Sequence, residues 1–246
     1  MKTGMYLYAV LACGHDSSSV GPIGIDGGEI SCVALDDVAA AVSPVPRARL
    51  RPERKHVAAH HAVLARLMRK STVLPAAFGL VAPSEEAIRY FLASRRDVLR
   101  EQLARVAGKA EMGLRVSWNV PDLFAFFVAM HPELREVRDQ LRLRREVARG
   151  DLIEVGQLFD RILETERDAH FARVSEALSA HGIAVKREPP RSEREVMNLA
   201  CLVPREQERE FERIVAAAAE PFDDNFTFTH DGPFAPYHFA ELTLSV

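Results

Sequence analysis

The chain has 246 residues, of which 48% are hydrophobic, 27% charged and 7% aromatic. That composition excludes collagen-like, disordered and low-complexity classes, and the length is enough to bury a core without a disulfide or metal staple. Lys and Arg total 32 against 35 Asp and Glu, a formal net charge of -3, so the basic excess expected of a nucleic-acid-binding protein is missing.

Met5 to Ala12 is apolar on both alternating faces and reads as a central strand. Met5 to Cys13 also has the look of a signal segment ending at a lipid-attachment cysteine. It is short, is preceded only by Lys2 and contains two tyrosines, so the strand is the better reading. The three cysteines, Cys13, Cys32 and Cys201, have no CxxC spacing. Zinc ribbons, redox pairs and secreted disulfide frameworks therefore lack their residues, and a reducing cytoplasm is expected. Cys13 to Gly28 is loop. Ile30 to Leu35 and Val38 to Ser43 form two strands joined by a tight turn at Asp36-Asp37. Pro44, Pro46 and Pro52, with Arg47, Arg49 and Arg51 between them, mark an exit.

Glu53 to Lys70 has helical spacing at Val57, His60, Leu64 and Leu67. Thr72 to Val81 is extended and interrupted by Pro75 and Gly79. Ser84 caps a helix with Glu85 and Glu86 in its first turn, and Gly108 ends it. Glu111 to Trp118 is a strand. After Pro121 come two helical tracts, Asp122 to Ala148 with a break near Pro132, and Asp151 to Ala180, closed by His181-Gly182. Ile183 to Lys186 and Val196 to Val203 are strands. Pro204 is expected to open a helix that packs Phe211, Ile214 and Val215. Phe226 to Thr229 is the last strand, after which DGPFAPYHF turns the chain. The pattern is α+β with antiparallel sheets. Two domains are expected, 1-119 with a ferredoxin-like sheet and helices, and 120-246 with a helical hairpin and a small ferredoxin-like α+β unit. The longest later apolar run, Leu123 to Met130, falls far short of the ~20 residues of a membrane helix.

Catalytic signatures are absent: no GxxxxGK[ST], no GxGxxG after a strand, no GxSxG and no HExxH. His56 and His60 are four apart, share a helix face and could chelate a metal with a further carboxylate. Two nitrogens alone leave zinc short of ligands. The preferred reading has His60 at the rim of the core and His56 in solvent. Asp36-Asp37 and Asp223-Asp224 are turn residues. Arg135, Arg138, Arg142, Arg144, Arg145 and Arg149 interleave with acids, as on a solvated helix face. Phe124, Phe126 and Phe127 cannot all point one way. Most of that cluster is core, and one ring left outside would be a contact anchor.

Four segments, MYLYAVL, VAAHHAVL with TVLPAAFGLV, EMGLRVSW and DGPFAPYHF, occur in this order along nearly the whole chain. Together they resemble the gas vesicle protein F/L family (GvpF/GvpL). The departures are Phe234 where the family usually has Trp, Ala235 for Pro, His238 for Ser and Leu80 where Thr is common; they leave F and L types open. The resemblance implies a ferredoxin-like N-terminal domain and an α+β C-terminal domain. It implies no enzymatic activity, cofactor or metal. It implies binding to the hydrophobic shell protein GvpA or other Gvp accessory proteins, in the cytoplasm or on the gas vesicle. Neither nucleic acid nor membrane is an expected partner. Phe78, Trp118, Phe234 and Tyr237, which stand in these segments, are the candidate partner-binding residues. Two other classes are open, a small-molecule-binding regulatory module and a metal-dependent enzyme using His56 and His60.

Overall fold

The structure, a computed structural model, describes residues 3–12, 21–46, 50–144 and 146–242. Cys13, the candidate lipid-attachment position, lies outside the described residues, as do Arg47, Arg49 and Arg145. The fold is α+β with two antiparallel sheets, and the chain divides into two compact units. The first comprises Met1–Met112, Leu202–Glu208 and Gly232–Val246, and the second Gly113–Cys201 and Arg209–Asp231.

The first unit begins with β1 (Gly4–Ala12), β2 (Ser31–Leu35) and β3 (Val38–Val45), followed by α1 (Arg54–Met68), β4 (Val73–Pro75), β5 (Val81–Ala82) and α2 (Glu85–Val106). Strand order is β2-β3-β1-β4, with β5 also pairing β1. This is the strand order of a ferredoxin-like sheet, in which a helix usually stands between the first two strands. Among the described residues there, only a 3-10 turn at Ile25–Gly27 is formed. β1 is central, and Tyr6 through Val10 are fully buried, as its two-faced apolar pattern demands. The register of β1 against β3 shifts between Leu7 and Ala9. This bulge places Tyr8 and Ala9 together with Tyr6 and Leu11 in the cluster formed with Val63, Leu64, Leu67 and Met68 of α1. α2 packs across β1, β2, β3 and β4. The β2–β3 turn puts Asp36 at φ 52, a conformation that short polar side chains tolerate. Arg96 bonds Asp37 at 2.8 Å and Arg100 bonds it at 2.7 Å. Ser84 caps α2 by accepting the Ala87 N–H at 3.3 Å, and Gly108 leaves it at φ 68.

The remaining elements are β6 (Lys109–Trp118), α3 (Leu123–Met130), α4 (Pro132–Leu143), α5 (Arg149–Ser179), β7 (Ala184–Glu188), β8 (Glu195–Pro204), α6 (Phe211–Ala219) and β9 (Phe226–Phe234). Their sheet runs β7-β8-β6-β9. Three successive helices form the first crossover and α6 the second, so this sheet has the complete ferredoxin-like alternation of strands and helices. Asp122 caps α3 by accepting the Ala125 N–H at 2.9 Å, and Pro132 occupies the first turn of α4. In the phenylalanine cluster Phe127 is buried and Phe124 is 37% exposed, the division expected from a single helix face.

Among the boundaries that differ from the expectation, two are set by distant backbone. Pro204 does not start α6. The Arg205 N–H is still bonded to the Gly108 carbonyl at 2.9 Å, so only a 3-10 turn follows at Arg205–Gln207 and the helix waits until Phe211. The last strand does not stop at Thr229. It continues through a cis Gly232-Pro233 bond to Phe234. Gly232 (φ 127) allows this, because a Cβ there would meet Met112 Sδ at 2.8 Å. Among the described residues no helix is long and apolar enough to cross a membrane.

Candidate functional site

In the first unit, α1, β1, the turn after β4 and the C-terminal segment converge on His60. Its Nδ1 lies 2.9 Å from the Tyr6 hydroxyl and its Nε2 lies 2.9 Å from the Tyr237 hydroxyl. The Tyr6 oxygen also accepts the Gly79 N–H at 3.2 Å. A neutral imidazole has one donor and one acceptor nitrogen. One phenol therefore donates to the ring and the other accepts from it; Tyr6, whose oxygen takes the Gly79 N–H, is fully buried, while Tyr237 is only partly so. Phe78 closes the cluster edge-on, its ring centre 5.9 Å from His60 and 6.0 Å from Tyr6. Tyr8 stacks on His60 at 5.7 Å. Its hydroxyl bonds Ser43 Oγ at 2.9 Å and accepts the Ile25 N–H at 2.8 Å.

Burial, with His61 beside it, holds His60 down to about 4. Burial also raises the Tyr6 and Tyr237 phenols above their ordinary range. At neutral pH the His60 imidazole and both phenols are uncharged, and the cluster is a polar lock on the C-terminal segment.

A second set of bonds holds the same C-terminal segment. The buried Glu111 accepts the His238 backbone N–H at 2.9 Å and pairs with His238 Nδ1 at 2.6 Å. Arg105 donates to the Phe239 carbonyl at 2.6 Å, and Gln102 accepts the Glu241 N–H at 2.7 Å.

Of the four candidate partner-binding residues, Phe78 and Tyr237 meet at His60. Phe234, also in the first unit, is 42% exposed at the end of β9. Trp118, in the second unit, is 3% exposed; it packs on Phe127 and lies under the Arg167 guanidinium at 5.7 Å. His56 is not in solvent. It is 5% exposed, with Nε2 3.1 Å from Asp26 Oδ1 and Nδ1 3.3 Å from the Arg51 carbonyl. Its ring turns toward the 3-10 turn and away from His60, whose nitrogens are both taken by phenols. Among the described residues no group of three or more His, Cys, Asp or Glu could hold a metal. Tyr6, Tyr8 and Glu111 were not singled out by the sequence, and His238 only as a departure from the family pattern. The only local signal was two tyrosines inside a strand apolar on both faces, each needing a partner for a buried hydroxyl.

The segments that carried the resemblance are therefore those that build this lock. The model of the family described as gas vesicle synthesis protein GvpL/GvpF matches residues 4–241. The chain belongs to this family. Among curated members, the gas vesicle protein F of Dolichospermum flosaquae is 25% identical over 222 residues, 89% of this chain and 90% of that protein. The gas vesicle protein F of Streptomyces sp. (strain CB03234) is 26% identical over 238 residues, 96% of this chain and 99% of that protein. The crystal structure of GvpF from Anabaena sp. PCC7120 matches with a TM-score of 0.83 at 24% identity, covering 98% of this chain and 99% of that one. The GvpF structure from Microcystis aeruginosa gives 0.80, also at 24% identity, covering 97% and 99%. These likenesses show the same fold. Membership ties this chain to gas vesicles, in a family of structural and accessory proteins that is not a known enzyme family.

Proposed function

We propose that this chain is an accessory protein of gas vesicle assembly, active in the cytoplasm or on the vesicle, which binds the hydrophobic shell protein GvpA or other Gvp proteins during nucleation or growth. A shell subunit with one water-repelling face aggregates unless a folded partner covers that face before assembly. The observation that carries this reading is a family match over residues 4–241 on a chain that displays large apolar side chains. Leu143 is 88% exposed, Leu152 60% and Ile153 52%, all near the α4–α5 connection. In the first unit Phe234 presents its ring, while Phe78 and Tyr237 fix the segment that follows it. Trp118 supports the second unit from within.

Co-expression with the shell protein and affinity capture tests the reading. Retention of the shell protein by the wild-type chain, reduced in a Leu143→Glu/Leu152→Glu/Ile153→Glu variant or in Phe234→Ala, is expected. Failure of the wild-type chain to retain the shell protein or any other Gvp protein would overturn it.

A further inference from the structure

The second unit contains a cleft of about 330 Å³, at the lower end of the range of ligand pockets. Trp118, Phe126, Phe127 and Phe226 give it an aromatic lining, and Glu166 and Asp223 stand on it as carboxylates. Glu166 is flanked by His131 Nε2 at 3.7 Å and His170 Nε2 at 3.5 Å, both longer than a good hydrogen bond. Burial holds His170 below its ordinary range, so it does not neutralise that carboxylate at pH 7. His170 Nδ1 is itself buried without a hydrogen-bond partner. The cleft sets two carboxylates against aromatic faces, which is the environment that selects a planar cation.

The same unit already solves this problem internally. Arg167 lies over Trp118, held by the carbonyls of Glu195 at 2.9 Å and Glu193 at 3.0 Å, and Arg173, the cation nearest His170, lies over Phe222 at 5.5 Å. Neither is paired with Glu166. The lip of the cleft includes Met130, which is 64% exposed, so the surface continues past a single side chain.

We propose that this cleft receives an arginine side chain of a partner protein, stacked on its phenylalanines and ion-paired to Glu166, with the neighbouring apolar residue of that partner on Met130. The identity of the partner as a Gvp protein rests on the assembly reading; the chemistry of the cleft does not.

Trp118 is the chain's one tryptophan, so its fluorescence reports on the cleft directly. The full chain is titrated with acetyl-Leu-Arg-Leu-amide and with the same peptide carrying citrulline, glutamate or leucine in place of arginine. Saturable binding of the arginine peptide is expected, about tenfold tighter than the citrulline isostere. Glu166→Gln should remove most of that preference while leaving the citrulline affinity unchanged. If Glu166→Gln does not fold, Asp223→Asn, at an exposed position, is expected to weaken the preference in the same sense. Equal affinity for arginine and citrulline, tighter binding of the glutamate or leucine peptide, or no saturable change would overturn the proposal. Retention of the shell protein is scored separately: capture that survives Glu166→Gln alongside an absent arginine preference sinks the cleft and leaves the assembly role standing.

Discussion

The Nε2 atom of His60 lies 2.9 Å from the Tyr237 hydroxyl, joining residues 177 apart in the chain. With Tyr6 on the opposite nitrogen, this bond ties a helix to a central strand and to the C-terminal segment. The two phenols are not equivalent, and their removal should show it.

Tyr6→Phe takes the partner from the part-buried Gly79 N–H and from the buried His60 Nδ1. A cost of about 2 to 3 kcal/mol is expected. Tyr237→Phe removes the partner of His60 Nε2 at a partly exposed position and should cost about 1 kcal/mol. Urea denaturation of the two variants checks the order; a larger loss for Tyr237→Phe contradicts it.

His60 also makes stability depend on pH. Its folded pKa is about 4 against an ordinary 6.5. Below 6.5 the unfolded chain takes up a proton that the folded chain refuses, so stability falls as pH drops from 6.5 toward 4 and levels off below that. The full loss from this group is roughly 3 kcal/mol. His170 is shifted in the same direction by its burial, so a His60→Gln variant should retain a shallower decline. Unfolding free energies measured across this window test it; a His60→Gln profile as steep as the wild type would refute it.

Glu111 holds both the main chain and the ring of His238. Glu111→Ala should cost about 2 to 3 kcal/mol, as expected when a buried charged acceptor is lost. The readout specific to this bond is limited proteolysis. Cleavage after Phe234 should accelerate in the variant while sites in α5 are unaffected.

Gly24 faces the hydroxyl of Tyr8. A Cβ there would stand 2.6 Å from the Gly28 carbonyl oxygen and 2.7 Å from the Tyr8 hydroxyl. Gly24→Ala should therefore destabilise by about 1 to 3 kcal/mol. Adding Tyr8→Phe removes one of three clashes, the third being Ile30 Cδ1 at 2.8 Å, so the double variant should lose less than the sum of the singles. Additive losses would show that the Gly28 carbonyl and Ile30 decide.

Much of the fold was legible because its signals are local. Ser84 and Gly108 bracket α2, and Asp36-Asp37 turns β2 into β3. The misplaced boundaries were set by distant backbone. Pro204 reads as a helix start until the Arg205 N–H is found bonded to Gly108, and Thr229 as a strand end until Gly232 is seen against Met112. The site was less legible. His56 has an exposed pattern in sequence, yet Asp26 reaches it from thirty residues away.

The order of apolar, polar and turn-forming residues by itself determined the strands, the helices, the α+β class and the absence of recognisable catalytic motifs. These follow from period and capping, which depend on neighbours a few residues apart. Only the tertiary structure decided that Tyr6, His60, Gly79 and Tyr237 form one hydrogen-bonded chain, and that Trp118 and Glu166 share a cleft. Those meetings depend on a bulge at Tyr8, on strand register and on helix packing. A buried hydroxyl or imidazole requires a partner, but its own sequence neighbourhood does not say which one the folded chain will bring.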